Sequence, residues 1–264
     1  MDNSLLSSID QRGVAYLTLN RPEKRNAFDA DLIVELTHAL KSLASNAAVR
    51  VVVLTGKGES FSSGADLNWM QSMVAYDEQT NQQDSKQLAD LMYELYNLNI
   101  PTIAKVNGNA FGGALGLITC CDIAIAVDHA KYSFSEVKLG IIPAVISPYI
   151  IAAIGSHATK RLFLTGEFIS ADSALRIGLV HVLVTDQSID SETEKQVHLL
   201  LKGSPVAQKE IKQLIHSHAD INNATGNTTS KLIAKLRTSK EGQEGLKAFI
   251  EKRAPHWVKP NDYQ

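Results

Sequence analysis

The segment Val49–Thr55 (VRVVVLT) restricts the fold more than any other part of this 264-residue chain. Its apolar residues form a nearly continuous run, which is typical of a β-strand buried on both faces. Further strands are predicted at Gly13–Asn20, Pro101–Val106, Ile123–Val127 and His181–Val184. Segments with helical periodicity separate several of these strands. The sequence therefore predicts an α/β fold with βαβ units and a largely parallel sheet.

The predicted helices lie between these strands and dominate the end of the chain. Apolar residues recur at helical spacing in Asp29–Ala44, where Asp29 or Asp31 can cap the first turn, and in Asp77–Asn99. The other predicted helices are Val145–Ile154, one that Ser170 or Asp172 caps, Glu192–Leu201, Val206–His218, Ser230–Lys235 and Gln243–Lys252. Strand signals disappear after residue 186. We therefore expect an α/β core over residues 1–186 and a helical region over residues 187–264.

Charge and composition exclude several classes of protein. The net charge of −2 at pH 7 provides no basic field for nucleic acid or an anionic membrane. No uninterrupted apolar run reaches about 18 residues, so we expect no membrane span. Cys120 and Cys121 are adjacent and lack metal-site spacing, so we expect no bound metal and a reducing compartment. The N-terminal residues lack a secretory pattern, and we expect a cytoplasmic protein.

The segment GNAFGGALGLITCCD (108–122) places Gly112, Gly113 and Gly116 at the start of an apolar, helix-like stretch. A glycine inside a helix costs about 1 kcal/mol relative to alanine, so this cluster requires an explanation. No Lys-Ser or Lys-Thr follows it, as a P-loop requires, and the spacing does not match G-x-G-x-x-G. Two interpretations remain open: close packing of the helix against a neighbour, and a catalytic backbone site.

The catalytic interpretation uses the first N–H groups of the helix, which have no partner inside it. They point out of the helix at the positive end of its dipole, and glycine lets a substrate oxygen approach closely. Such a donor can stabilise a developing oxyanion. A second candidate donor lies in the segment SGAD (63–66), another turn of small residues that follows a strand.

Several motifs in sequence order carry a family resemblance. They are FSSGADL (61–67), PTIAKVNGNAFGGALGL (101–117), SEVKLGIIP (135–143), LTGEFISADSALRIGLV (164–180) and AFIEKRAP (248–255). Together they resemble the crotonase superfamily, also called the enoyl-CoA hydratase/isomerase family, over nearly the whole chain. More narrowly, GADLNWM (64–70), AFGGALGLITCCD (110–122) and LGIIPAVISPYIIAAIG (139–155) are similar to bacterial 3-methylglutaconyl-CoA hydratases of leucine breakdown.

The resemblance implies a crotonase-like spiral of repeated ββα units with a helical C-terminal trimerisation region. It implies homotrimers that often pair into hexamers. It also implies an acyl-CoA substrate, with coenzyme A as part of the thioester and no permanently bound cofactor. Two peptide N–H groups would hold the thioester oxygen, and these fall on Ala65 and Gly113. Gly112 would permit the close approach.

The resemblance also implies the acid–base group. Hydratases of this family use two glutamates, and Glu136 matches the one that handles the proton at the α-carbon. The other belongs at position 116, where this chain has Gly116. A carboxylate that faces an apolar acyl pocket should have a raised pKa, which suits proton transfer near neutral pH. As a further hypothesis, the space left by Gly116 would admit a carboxylate of the substrate.

The remaining candidates are substrate contacts, each with a plain structural alternative. Those implied for coenzyme A are Lys24, Ala27, Ser63, Asp66, Leu67, Phe249 and Lys252. A basic turn is usually solvated surface, and Lys252 equally fits an exposed helix end. Trp69 follows the GAD turn and either lines the acyl pocket or packs in the core. Lys138 and Arg161 are the candidate cations for a substrate carboxylate.

We therefore expect reversible hydration of a 2-enoyl-CoA, specifically a branched, carboxylated one such as 3-methylglutaconyl-CoA. Glu136 would act as the single acid and base. A 3,2-enoyl-CoA isomerase is the first alternative, because one carboxylate is sufficient to move a double bond. A non-catalytic acyl-CoA-binding subunit is the alternative from another class, and Glu136 beside both candidate donor turns argues against it.

Overall fold

The structure is a computed structural model, and it describes residues 3–73, 77–217 and 240–258. The main sheet has the strand order β1-β2-β3-β5-β7-β10. Its strands are β1 (Leu5–Ile9), β2 (Val14–Leu19), β3 (Val51–Gly56), β5 (Thr102–Val106), β7 (Ile123–Val127) and β10 (Val182–Val184). All neighbours from β2 to β10 are parallel, whereas β1 is antiparallel to β2. The prediction of a largely parallel sheet is therefore confirmed.

A second, smaller sheet lies beside the main one. Its strands, in sheet order, are β4 (Ser60–Ser62), β6 (Asn109–Phe111), β8 (Lys131–Ser133) and β9 (Ile169–Ser170). The strand pairs β3–β4 and β5–β6 are each followed by a helix, which is the ββα repeat that the resemblance implies. These strands have two or three residues each, too few for any periodicity to be visible in the sequence. Residue patterns along the sequence therefore do not indicate this sheet.

The helices of the described residues pack against the main sheet and against one another. They are α1 (Ala30–Ala44), α2 (Leu67–Met73), α3 (Glu78–Tyr96), α4 (Gly113–Cys120), α5 (Ser147–Thr165), α6 (Ala171–Arg176), α7 (Ile189–Leu201), α8 (Pro205–Ser217) and α9 (Lys240–Ile250), with short 3-10 helices at Pro22–Lys24 and Ser135–Leu139. Asp29 caps α1 and Ser170 caps α6, each by accepting a backbone N–H bond. The hydrophobic core joins the main sheet to α1, α3 and α4.

One predicted helix is longer in the structure, and another lies outside the described residues. The predicted helix Val145–Ile154 continues to Thr165, because the chain resumes helical geometry after a break at Gly155 (φ 73°, ψ 159°). Glycine adopts this conformation without the steric penalty of a Cβ, so the break costs little there. The predicted helix Ser230–Lys235 lies outside the described residues.

An ion pair formed by a buried lysine attaches the C-terminal helices to the α/β core. Lys212 of α8 is only 8% exposed, and its ammonium donates to Asp122 Oδ2 at 2.6 Å and to the Ile100 carbonyl at 3.3 Å. The same carboxylate oxygen accepts the Thr102 N–H at 2.7 Å. Asp122 thus joins β5, the end of α4 and α8.

Candidate active site

The first donor turn is held by a short parallel bridge between Phe28 and Ala65. The Phe28 N–H donates to the Gly64 carbonyl and the Asp66 N–H donates to the Phe28 carbonyl, both at 2.8 Å. In this pattern the N–H of Ala65 points away from Phe28. Within the described parts of the chain, that N–H donates to no protein acceptor. It is therefore free to bind a ligand.

The second donor turn joins β6 to α4. The Gly112 N–H donates to the Ser133 carbonyl at 3.0 Å, so Gly112 itself offers no free donor. Its φ of +54° and ψ of −128° form a conformation that only glycine adopts readily. The helix begins at Gly113, whose N–H is therefore one of the unpaired donors at the positive end of the dipole.

The two turns lie against each other. A Cβ added at Gly64 would lie 2.7 Å from the Phe111 carbonyl oxygen and 3.8 Å from the Gly112 Cα. Gly64 also has a φ of +85°. Glycine is required there both by its conformation and by the close approach, and the contact brings the N–H groups of Ala65 and Gly113 to one place.

Glu136 faces these turns from the 3-10 helix Ser135–Leu139. Its Oε1 lies 3.1 Å from the position of a Cβ added at Gly112. Its Oε2 is buried and has no hydrogen-bond partner in the described structure. Burial raises the pKa of this carboxyl group, and a hydrogen bond from its own backbone N–H only partly opposes that shift. An unpartnered carboxylate oxygen beside two free N–H donors is suited to proton transfer.

The space expected at Gly116 does not exist, and the hypothesis that it admits a substrate carboxylate is wrong. Gly116 is buried in α4. A Cβ added there would lie 2.4 Å from Ile146 Cγ2 and 3.0 Å from Met92 Sδ. The side chain of Ile146, at the start of α5, therefore occupies the position where hydratases of the family are implied to carry their other glutamate. For Gly116 the packing interpretation is the one that the structure supports.

The loop after β2 forms an electrostatic cluster around Asp66. This side chain is 6% exposed and binds Lys24 Nζ at 2.9 Å and an Arg21 guanidinium nitrogen at 3.0 Å. Its other oxygen accepts the Asn68 N–H at 2.8 Å. The hydrogen bond from Lys24 is the largest influence and lowers the pKa of Asp66, although burial of the carboxylate partly opposes this shift. Asp66 thus positions Lys24, and its own burial leaves it little contact with a ligand.

Sequence reasoning missed Asn26, which organises the same loop. Asn26 is fully buried and has a φ of +54°. Its amide nitrogen donates to the carbonyls of Lys57 and Ser60, and its amide oxygen accepts the Arg21 N–H. Asparagine tolerates left-handed geometry better than most residues. That preference, in a turn after a strand, is the signal that could have identified it.

The other residues predicted to contact the substrate differ in their exposure to solvent. Ala27 is buried, and its carbonyl accepts a bond from Arg21. The Ser63 hydroxyl donates to the Lys24 carbonyl at 3.3 Å. Leu67 is 80% exposed at the start of α2. Lys252 is exposed just beyond α9, and Phe249 lies in α9 with a side chain outside the described part of the structure.

Two residues that were not predicted as site residues, Phe28 and Leu88, lie next to the Gly113 turn. A Cβ added at Gly113 would lie 3.0 Å from Phe28 Cε2 and 3.9 Å from Leu88 Cδ2. Trp69 packs half-buried against the core, and its indole N–H donates to Asp84 Oδ1 at 3.1 Å.

Within residues 3–73, 77–217 and 240–258, no cluster of acidic, His or Cys residues is arranged for a metal. In the same residues, no helix is long and apolar enough to span a bilayer.

Paired backbone donors beside a buried carboxylate define an enzyme that stabilises an oxyanion on a carbonyl substrate. The similarity of this chain to known proteins identifies its family. The chain matches the enoyl-CoA hydratase/isomerase family over residues 10–260, and it belongs to that family.

The relatives agree in fold and in named activity. A Legionella pneumophila crystal structure of the enoyl-CoA hydratase/isomerase (crotonase) class is 46% identical, with a TM-score of 0.92 over 97% of this chain and 100% of that one. An enoyl-CoA hydratase structure from Shewanella pealeana is 43% identical, with a TM-score of 0.93 over 97% and 96%. The 2,3-dehydroadipyl-CoA hydratase of Escherichia coli is 32% identical over 96% of this chain and 98% of its own. The crotonase-like α/β fold is therefore confirmed, as is an enzyme of the hydro-lyase type that acts on enoyl-CoA.

Proposed function

We propose that this enzyme hydrates 3-methylglutaconyl-CoA in leucine catabolism, with Glu136 as its single acid and base. The observation that carries the proposal is the buried, unpartnered Oε2 of Glu136 beside the free N–H groups of Ala65 and Gly113. The filled position at Gly116 leaves no room there for another carboxylate. Both proton transfers are therefore assigned to one residue.

The proposed reaction has two steps. Glu136 takes a proton from water while the water oxygen bonds to C3 of the enoyl group. The electrons of the C2–C3 double bond move to the thioester oxygen, where the N–H groups of Ala65 and Gly113 stabilise the enolate. Glu136 then returns the proton to C2. Because one carboxylate serves both steps, hydroxyl and proton add to the same face.

The carboxylated substrate has support of two kinds. The narrower sequence resemblance points to 3-methylglutaconyl-CoA. The Escherichia coli relative is named for a dehydroadipyl thioester, which also carries a free carboxylate. Of the two candidate cations, Arg161 is bonded to Glu167 at 3.1 Å. Lys138 has no ion-pair partner among the described residues and lies over the Phe168 ring, two residues after Glu136 on the same 3-10 helix. We assign the substrate carboxylate to Lys138.

A 3,2-enoyl-CoA isomerase remains the second candidate, and the single carboxylate favours it. Glu136 would remove a proton at C2 of a 3-enoyl-CoA and return it at C4, with the same enolate stabilised. This route needs no activated water, so the filled position at Gly116 does not impede it.

A panel of thioesters separates these functions. Crotonyl-CoA, 3-hexenoyl-CoA and 3-methylglutaconyl-CoA are each assayed for hydration and for double-bond migration. Hydration with the highest kcat/KM for 3-methylglutaconyl-CoA supports the proposal, and Lys138→Met should raise KM for this substrate more than for crotonyl-CoA. Migration in 3-hexenoyl-CoA without any hydration would overturn it in favour of the isomerase. Acyl-CoA binding without turnover would instead support a binding subunit.

We also propose a cytoplasmic homotrimer or homohexamer. Exposed apolar side chains support an interface, and several cluster near the end of the Glu136 helix. They include Leu139 (57% exposed), Ile141 (54%) and Ile142 (74%). Light scattering on the purified protein measures the assembly directly, and a monomer at micromolar concentration would contradict this proposal.

A further inference from the structure

The hydrogen bond between Trp69 and Asp84 joins α2 and α3, the two helices that follow the Ala65 turn in the sequence. Trp69 lies in α2, directly after the Ala65 turn, and Asp84 lies in the first half of α3. The indole Nε1–H donates to Asp84 Oδ1 at 3.1 Å. Both residues are half-buried, so water competes only partly for this bond.

The positions of Trp69 and Asp84 in the chain relate this bond to both donor turns. Trp69 lies in α2, which begins at Leu67, directly after the Ala65 turn, and Asp84 is four residues before Leu88 in α3. Residues four apart on a helix share a face and are separated by about 6 Å along its axis. Leu88 Cδ2 lies 3.9 Å from the position of a Cβ added at Gly113. Leu88, one helical turn after Asp84, therefore connects the Trp69–Asp84 bond to the Gly113 turn along α3.

The geometry points to Asp84 as a positioning residue that holds the Trp69 indole as a side wall of the acyl site and so limits the length of the acyl chain. This inference rests on the proposed acyl-CoA function. An acyl group whose thioester oxygen is bound by Ala65 and Gly113 extends toward the apolar surface of Leu88 and Trp69. The carboxylate does not contact the substrate and acts only through the indole.

The bond matters because an indole N–H that is partly removed from water usually takes a protein acceptor. Hydrogen bonds to an ionised acceptor are shorter and stronger than neutral ones. With Asp84 in place, one ring orientation of Trp69 is favoured. Without an acceptor, the ring is free to turn toward solvent, and the wall opens to longer acyl chains.

The test compares substrates of different length in matched variants. The measured quantity is the ratio of kcat/KM for 2-decenoyl-CoA to that for crotonyl-CoA. Asp84→Ala should raise this ratio about tenfold. This is the lower end of the change in kcat/KM that one methylene group causes in an apolar pocket. Asp84→Asn keeps an acceptor oxygen and should keep the ratio near that of the wild type. Trp69→Phe removes the donor and should resemble Asp84→Ala, and the double variant should add nothing further.

Asp90→Ala is the control for loss of a carboxylate from the same helix. Asp90 pairs with Lys86 at 2.7 Å on the exposed surface of α3 and should not change the ratio. The chain has two tryptophans, so a Trp257→Phe background reports Trp69 alone. In that background Asp84→Ala, but not Asp84→Asn, should shift the fluorescence maximum to longer wavelength.

Equal ratios in Asp84→Ala, Asp84→Asn and the wild type would overturn this inference, as would an unchanged Trp69 spectrum. These results are distinct from failure of the proposed function. In that case the wild type would hydrate none of the enoyl thioesters, while the fluorescence comparison would still report whether Asp84 holds the indole.

Discussion

Replacing Gly116 with alanine tests the packing that separates this site from one with two glutamates. The added Cβ would lie 2.4 Å from Ile146 Cγ2 and 3.0 Å from both Ile146 Cβ and Met92 Sδ. Carbon atoms normally approach to about 3.5–4.0 Å, so Ile146 or the start of α5 must move. Overpacking of this kind costs about 1–3 kcal/mol, and the better helix propensity of alanine returns about 1 kcal/mol.

We therefore expect Gly116→Ala to lower the free energy of unfolding by up to about 2 kcal/mol, or Tm by up to about 8 °C for a chain of this size. Ile146 is 2% exposed, and Ile146→Ala alone should cost about 2–5 kcal/mol through the cavity that it leaves. In the double variant the two Cβ atoms share that cavity. Its cost should be smaller than the sum of the single costs by about 0.5–3 kcal/mol.

Thermal unfolding of the four proteins, at one concentration and pH, provides this double-mutant cycle. If Gly116→Ala is more stable than the wild type, the site beside Gly116 is open and the reasoning is refuted. Additive single costs would also refute it, because they would show that the two side chains do not compete for one space. Gly116→Glu should destabilise the protein more than Gly116→Ala.

Three further predictions follow from the titratable and unpaired groups. Burial raises the pKa of Glu136 above its ordinary value of 4.5, so the folded protein loses stability as pH rises through the raised pKa. Glu136→Gln should therefore raise Tm at pH 7.5, and this gain should disappear toward pH 4.5. The same variant should lower kcat by at least about 10²-fold. Partial burial lowers the pKa of His181, whose Nδ1 accepts the Ala124 N–H. The free energy of unfolding should therefore fall as pH drops below about 6.5. His181→Asn should reduce this pH dependence of stability in a series of Tm values. The Tyr132 hydroxyl is buried without a described partner, so Tyr132→Phe should leave the denaturation midpoint unchanged or raise it, and a loss above about 1.5 kcal/mol would reveal a hidden acceptor.

Much of the main sheet was predictable because its strands have the composition and length that local patterns reveal. The continuous run at Val49–Thr55 appears as β3, and Ile123–Val127 is a strand with the predicted bounds. Asp29 caps α1 as expected from its place before the apolar periodicity. The second sheet was not predictable, because its strands are held by neighbours distant in the sequence.

The candidate site divides in the same way. The turns at Gly64–Ala65 and Gly112–Gly113 were recognised from their small residues, and the family resemblance indicated Glu136. The sequence could not show that the two turns touch, since this contact depends on the pairing of β4 with β6. Nor could it show that Glu136 Oε2 lacks a partner, because burial depends on every surrounding element.

Gly116 marks the boundary between what sequence and tertiary structure determined. The sequence by itself determined that no carboxylate stands at this position. Only the tertiary structure decided what the missing side chain means, since Ile146 is distant in the chain and reaches Gly116 through the packing of α5 on α4. A local pattern records which atoms a residue lacks, whereas the neighbours that fill the space are determined by long-range packing.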